Sequence, residues 1–237
     1  MSCFGQGVDD VEKESKEIKF MEIFKYGEKE INYLKRKDKK LSEAIDRIGK
    51  IERRVIPDLF EALINSIVSQ QISSKAADTV WKRLINLLGE IKPETIMDED
   101  INSIQKCGMT FRKASYIKVI SENVYSGTFN INELNDLPDE GVIKMLTSQN
   151  GIGVWTAEML MIFSMGRPDI VSWGDLAIRR GMCNLYNLKD ISKVQFERYK
   201  KRYSPYGSVA SLYLWALSAN SGDGILRTDL KMSPSFP

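Results

Sequence analysis

Apolar residues recur along most of this chain at helical spacing. In "IPDLFEALINSIVSQQI" they fall at Ile56, Leu59, Phe60, Leu63, Ile64, Ile67 and Val68. That is the i, i+3, i+4, i+7 rhythm of one buried helix face. Pro57 suits the first turn of that helix. "SSKAADTVWKRLINLLG" repeats the rhythm, with Ser73 or Ser74 as N-cap and Gly89 as the stop. "FRKASYIKVISENVYSG" predicts another helix ended by Gly127. Further helices are predicted for "DEGVIKMLTSQ", "GVWTAEMLMIFSM", "DLAIRRGMCNLY", "SKVQFERYKKRY" and "GSVASLYLWALSAN". Few alternating segments compete, so the pattern predicts an all-α fold. The connections, such as "GEIKPETIMDED" and "LNDLPDE", read as short polar links. Residues 1–25 form a polar N-terminal extension and residues 221–237 a polar, proline-broken tail; both are expected to be loosely held.

Composition narrows the chemistry. The 237 residues are 43% hydrophobic, enough for one substantial domain or two lobes sharing an interface. With 34 Lys and Arg against 32 Asp and Glu the net charge is only +2, so attraction to a polyanion must come from local patches. No apolar run is long enough to span a membrane, and the acidic, polar N-terminus does not resemble a signal peptide; a cytoplasmic protein is expected. Cys3, Cys107 and Cys183 are too scattered for a disulfide framework or a C-x-x-C metal site. Histidine is absent, which excludes an imidazole base and a His-ligated zinc. Any catalysis must rest on carboxylates, amines, hydroxyls, thiols or the backbone.

The stretch "LTSQNGIGVWTAEMLMIF" reads as helix, tight turn, helix. Gly151 and Gly153 permit positive φ and remove a Cβ from the path of a ligand. The amides of the turn and of the next helix's first turn (Gly151, Gly153, Val154, Thr156) then point outward. Such a helix N-terminus suits a phosphate oxygen. Contact of this kind positions a nucleic-acid strand without reading its sequence. On the Gly-x-Gly pair alone, an ordinary helical corner explains the turn as well. A dinucleotide fold does not, because no strand precedes and the third glycine is missing.

From about Tyr33 to Asn220 the sequence resembles the helix-hairpin-helix (HhH-GPD) DNA glycosylases, closest to their 3-methyladenine DNA glycosylase II branch. "YLKRKDKKL", "FEALINSIVSQQISSKAA", "CGMTFRKASYI", "LTSQNGIGVWTAEMLMIFSMGRPDI", "GDLAIRRG" and "YSPYGSVASLYLWAL" carry the match in family order. The resemblance implies two helical lobes within residues 26–220, the middle one spanning about 58–148, with the active-site cleft between them. It implies a catalytic aspartate at Asp175, here preceded by Gly174 where the family often has another residue. An N-cap role for Asp175 is the structural alternative, and both can hold. The resemblance places Trp155, Trp215 and Met159 at base-pocket positions, with Trp173 or Tyr213 as replacement surface; core packing is the alternative for each aromatic. Gln71, flanked by Ser69 and Gln70, matches the wedge that fills the gap left by an extruded base. Carbonyls of Thr147, Gln149 and Ile152 match a site that holds potassium or sodium in related members. Lys75, Arg112, Lys113, Arg179 and Arg180 are local candidates for further phosphates, whereas runs such as "LKRKDKK" read as solvated faces.

Trp155 stands where bifunctional relatives carry a nucleophilic lysine, so the resemblance implies a water-using enzyme without strand cleavage. The four clustered cysteines of the iron–sulfur subgroup are missing. The expected partner is damaged double-stranded DNA, met by a monomer. A base must leave the stack to be reached. A cationic N-alkylated purine suits an aromatic pocket and needs little acid assistance to depart. A carboxylate open to the cleft then stabilises positive charge on the sugar. Glu158 is expected to be structural or solvent-facing. Two alternatives remain at this point: the same fold acting on uracil, hypoxanthine or oxidised guanine, and a non-catalytic module that only grips DNA.

Overall fold

A computed structural model describes residues 22–219; the remainder of the expected N-terminal extension and the whole of the expected tail lie outside the described residues. The chain runs β1 (Glu22–Ile23), α1 (Glu28–Lys37), α2 (Lys39–Ile48), β2 (Arg54–Val55), α3 (Leu59–Ser69), α4 (Ser74–Leu88), α5 (Pro93–Asp98), α6 (Ile101–Lys106) and α7 (Phe111–Tyr125). A 3₁₀ turn over Ile131–Asp136 leads to α8 (Asp139–Thr147), α9 (Val154–Phe163), α10 (Leu176–Tyr186), α11 (Lys193–Tyr203) and α12 (Gly207–Ala219).

The all-α expectation holds, apart from a two-stranded antiparallel ribbon that pairs Glu22 with Val55 and Ile23 with Arg54. That ribbon moves one boundary: the ordered fold begins before residue 26. Two further readings change. Pro57 precedes α3 rather than entering it, because Asp58 is the N-cap and accepts from the Glu61 amide. "GEIKPETIMDED" is not a plain link; it contains α5, with Pro93 in its first turn. Elsewhere local chemistry sets the boundaries as expected. Ser73 caps α4 and accepts from the Ala76 amide, and Gly89 ends it at φ 74°.

The helices sort into two groups. Helices α3 to α9 pack among themselves, while α1 and α2 fold back onto α10, α11 and α12. One continuous apolar core joins the groups. Its tightest seam is α10 against α12: a Cβ on Gly181 would lie 2.0 Å from the Leu214 carbonyl oxygen, so only glycine lets these backbones approach. Two basic side chains tie loops to this frame. Lys118 donates to the carbonyls of Ile96, Met97 and Glu99 at the end of α5. Arg167 donates to Leu134, Asn135 and Leu137.

Candidate active site

Asp175 is the N-cap of α10, and its Oδ1 accepts from the Ile178 amide at 2.9 Å. Its Oδ2 accepts two indole N–H groups, Trp155 Nε1 at 2.9 Å and Trp215 Nε1 at 3.1 Å. One indole comes from the first turn of α9 and the other from α12. The carboxylate therefore joins both helical groups, and the cap and site readings of Asp175 coincide. Contrary to the expectation of a carboxylate open to the cleft, it is buried: the residue is 5% exposed. The reason is tertiary, since two half-buried indoles close over it. A carboxylate offers about four acceptor positions, of which three are filled here.

The stretch before Asp175 is anchored in the same way. Ser172, fully buried, donates to Glu158 Oε2. Glu158 is thus structural rather than solvent-facing. Burial pushes its carboxyl above the usual carboxylate range; nearby Asp175 acts in the same direction, and Ser172 and Lys200 oppose it.

The corner between α8 and α9 lies beside this carboxylate, because Trp155 belongs to both. Gly151 has φ +87°, as a glycine turn requires, but its bare face meets protein: a Cβ there would be 2.4 Å from the Tyr116 ring. Gly153 needs no positive φ; at φ −93° it is the extended N-cap of α9, and a Cβ there would meet nothing within 4 Å. Helix α9 begins without a side-chain cap, so its first amides are available to an anion. Val154 is 55% exposed, whereas the Thr156 side chain is buried, leaving Thr156 only its backbone amide to offer. Of the turn carbonyls, Gln149 O accepts from the Ile152 amide.

The loop after α3 meets this corner. Gln70 Nε2 donates to the Gly151 carbonyl at 2.9 Å. Gln71 is exposed and held in the left-handed region at φ 57°. The Ser69 hydroxyl is buried without a partner among the described residues. Lys113, expected near phosphate, instead donates to the carbonyls of Val68 at 2.8 Å and Gln70 at 2.5 Å. A cation there complements the C-terminal end of α3, and burial lowers its ammonium below the usual lysine value. Arg112 reaches the corner through Tyr116, whose hydroxyl accepts from its Nε. Lys75 and Arg180 are exposed.

The residues expected to line a base pocket do not all gather in one place. Trp155 and Trp215 come together at Asp175, each half-buried. Trp215 also packs against Phe163, ring centroids 5.5 Å apart. Met159 does not line an opening: it is fully buried in the core, on a helix apolar around its circumference. Tyr213 is likewise buried and donates to the Gly49 carbonyl. Trp173 stands edge-on to Phe196 and carries the Arg179 guanidinium 4.8 Å above its ring, so that face is covered. Phe163, a buried aromatic at the last turn of α9 that sequence reasoning did not single out, backs Trp215.

The HhH-GPD superfamily base excision DNA repair model matches residues 64–205. A DNA-3-methyladenine glycosylase of Schizosaccharomyces pombe is 37% identical over 164 residues, 67% of this chain and 72% of that protein. Among solved structures, a Bacillus halodurans DNA-3-methyladenine glycosidase superposes with TM-score 0.76 at 35% identity, covering 84% of this chain and 94% of that one. A Schizosaccharomyces pombe 3-methyladenine DNA glycosylase in complex with abasic DNA gives TM-score 0.70 at 32% identity, covering 81% of this chain and 98% of that one. The chain belongs to the HhH-GPD superfamily of base excision DNA repair proteins.

Proposed function

We propose that this chain is a monofunctional DNA glycosylase that removes alkylated purines such as 3-methyladenine from double-stranded DNA. One observation carries the reading: the Asp175 carboxylate is held by two indole N–H groups beside an uncapped helix N-terminus. The α9 amides bind a backbone phosphate, Gln71 fills the stack, and the extruded nucleoside approaches Asp175. Positive charge growing on the sugar is met by a carboxylate whose partners are all uncharged N–H donors. The C1′–N bond breaks, the cationic purine leaves with the bonding pair as a neutral base, and a water molecule adds to the anomeric carbon and loses its proton to solvent. The residue at the lysine position of bifunctional relatives is Trp155, whose nitrogen is occupied with Asp175. No Schiff base forms there.

Because Asp175 is 5% exposed, a sugar within reach must use its remaining acceptor position or displace an indole. Trp155 and Trp215 accordingly have two duties on this reading, aligning the carboxylate and walling a cationic base. The reading includes a monomer in the cytoplasm, working on nucleoid DNA. It requires no cofactor for the chemistry. It also assigns a monovalent cation to the Thr147, Gln149 and Ile152 carbonyls, where Gln149 O keeps one lone pair beside its Ile152 bond.

The burial of Asp175 is also what a purely structural cap would give, in a protein that only grips DNA. Incubation with methylated DNA, followed by identification of released bases, separates the two. Release of 3-methyladenine by the wild type and none by Asp175→Asn is expected. Equal release by both proteins would remove Asp175 from the mechanism.

A further inference from the structure

A cavity of about 320 Å³ lies at the opposite end of α10 from Asp175. Its lining residue Tyr186 is the last of the 11 residues of the helix that Asp175 caps, about 16 Å of axial rise away. Lys37, Lys39, Lys40 and Arg202 line it, with Tyr186, Tyr199 and Asp38. The concentration of charge is out of proportion to a chain of net charge +2. Residues 35–40 hold five basic side chains, and Arg198, Lys200, Lys201 and Arg202 add four from α11.

The one carboxylate in the lining is already engaged. Asp38 is 5% exposed and accepts from the Leu41 amide, the Tyr186 hydroxyl and Arg202 Nη1. Lys39 is exposed and has no ion-pair partner among the described residues. The aromatic faces are occupied too. Tyr186 and Tyr199 stack on each other, centroids 3.7 Å apart at 8°. Lys40 lies 5.8 Å from the Tyr186 centroid, and Arg198 and Arg202 lie 5.5 and 5.1 Å from that of Tyr199. No open ring face remains for a base, so a ligand here is recognised by negative oxygen atoms. The volume is at the small end of ligand pockets.

We propose that this cavity is a phosphate-binding site, separate from the corner of α8 and α9, and that its ligand is a phosphate of the DNA duplex. The DNA source rests on the glycosylase reading; the phosphate chemistry does not. The test compares wild type with Lys37→Gln/Lys39→Gln/Lys40→Gln, all exposed side chains. Binding to a short undamaged duplex is measured across a salt series. The triple variant is expected to bind about 10- to 100-fold more weakly at low salt, with the log–log salt slope reduced by about 2. Single-turnover excision at saturating DNA is expected to stay within about twofold of wild type, as for a contact that only positions.

A second readout titrates inorganic phosphate into the full chain and follows the resonances of Tyr186, Tyr199 and Arg202. If these move with phosphate and wild type and variant share one salt slope, the site is a phosphate site whose source is free phosphate. An unchanged slope together with unmoved resonances overturns the proposal. Failure of the glycosylase reading appears separately, as absent base release in a protein whose phosphate-induced shifts persist.

Discussion

Each end of α10 carries a buried aspartate, and the two are built alike. Asp175 and Asp38 are each 5% exposed, each caps a helix, and each accepts from one backbone amide and from aromatic side chains. They differ in what closes the set. Asp38 pairs with the Arg202 guanidinium at 3.1 Å, so its charge is balanced inside the fold. Asp175 is bonded only by neutral N–H groups, so its charge is oriented but not cancelled. Burial alone does not distinguish the two; the charge of the partners does, and the proposed catalytic role falls on the carboxylate left without a cation.

Removing each carboxylate should separate these roles. Asp175→Asn keeps a capping side chain and should melt within a few degrees of wild type. Its single-turnover excision of methylated DNA should fall about a thousandfold, in line with the loss of a preorganised charge. A full-rate variant would erase the contrast between the two ends.

Asp38→Ala should reverse the pattern. Losing the cap and the buried acceptor of Tyr186 is expected to cost about 3 kcal/mol in denaturant unfolding. Excision per folded molecule should hardly change. Gly181→Ala belongs with it: the clash with the Leu214 carbonyl predicts a loss of about 3 kcal/mol or more, mostly from strain in the α10–α12 seam.

Smaller effects refine the Asp175 end. Trp155→Phe and Trp215→Phe each delete one donor and keep most of the ring. Each should slow excision about tenfold, the scale of one hydrogen bond to a charged group. Comparing them with the double variant shows whether the two indoles act as one unit.

The smallest concerns pH. Glu158 has a folded pKa raised above its ordinary value of 4.5, chiefly by burial. A raised acid supports folding fully below its unfolded pKa, and that support is lost as pH rises through the folded pKa. Glu158→Gln removes this dependence. The stability of wild type relative to the variant should therefore decline as pH rises from 4.5 upward, in urea unfolding at a series of pH values.

Long helices with one apolar face were legible in the sequence, as at α3 and α4. Helix α1 was hidden by charge, "EKEINYLKRK" having too few apolar positions to show a rhythm; α2 does carry the rhythm, at Leu41, Ala44, Ile45 and Ile48, and was legible but not singled out. Helices α5 and α6 are too short for periodicity to register. At the site, the helical corner and the acid at 175 could be read from local pattern and resemblance. The closure over that acid could not, because its donors stand 20 and 40 residues away in sequence. Lys113 and Lys37 show the limit for charge. One looked like a strand contact and caps α3; the other looked merely solvated and lines a cavity.

The bond from Gln70 to Gly151 gives the molecule a fixed gauge. On the glycosylase reading proposed above, it ties the loop that carries Gln71 to the corner assigned to the sugar–phosphate chain, so the distance between them is set before DNA arrives. The two work as the jaws of one calliper. On that reading, a duplex whose geometry around a lesion matches that span engages both at once, and an intact duplex that resists opening engages only one.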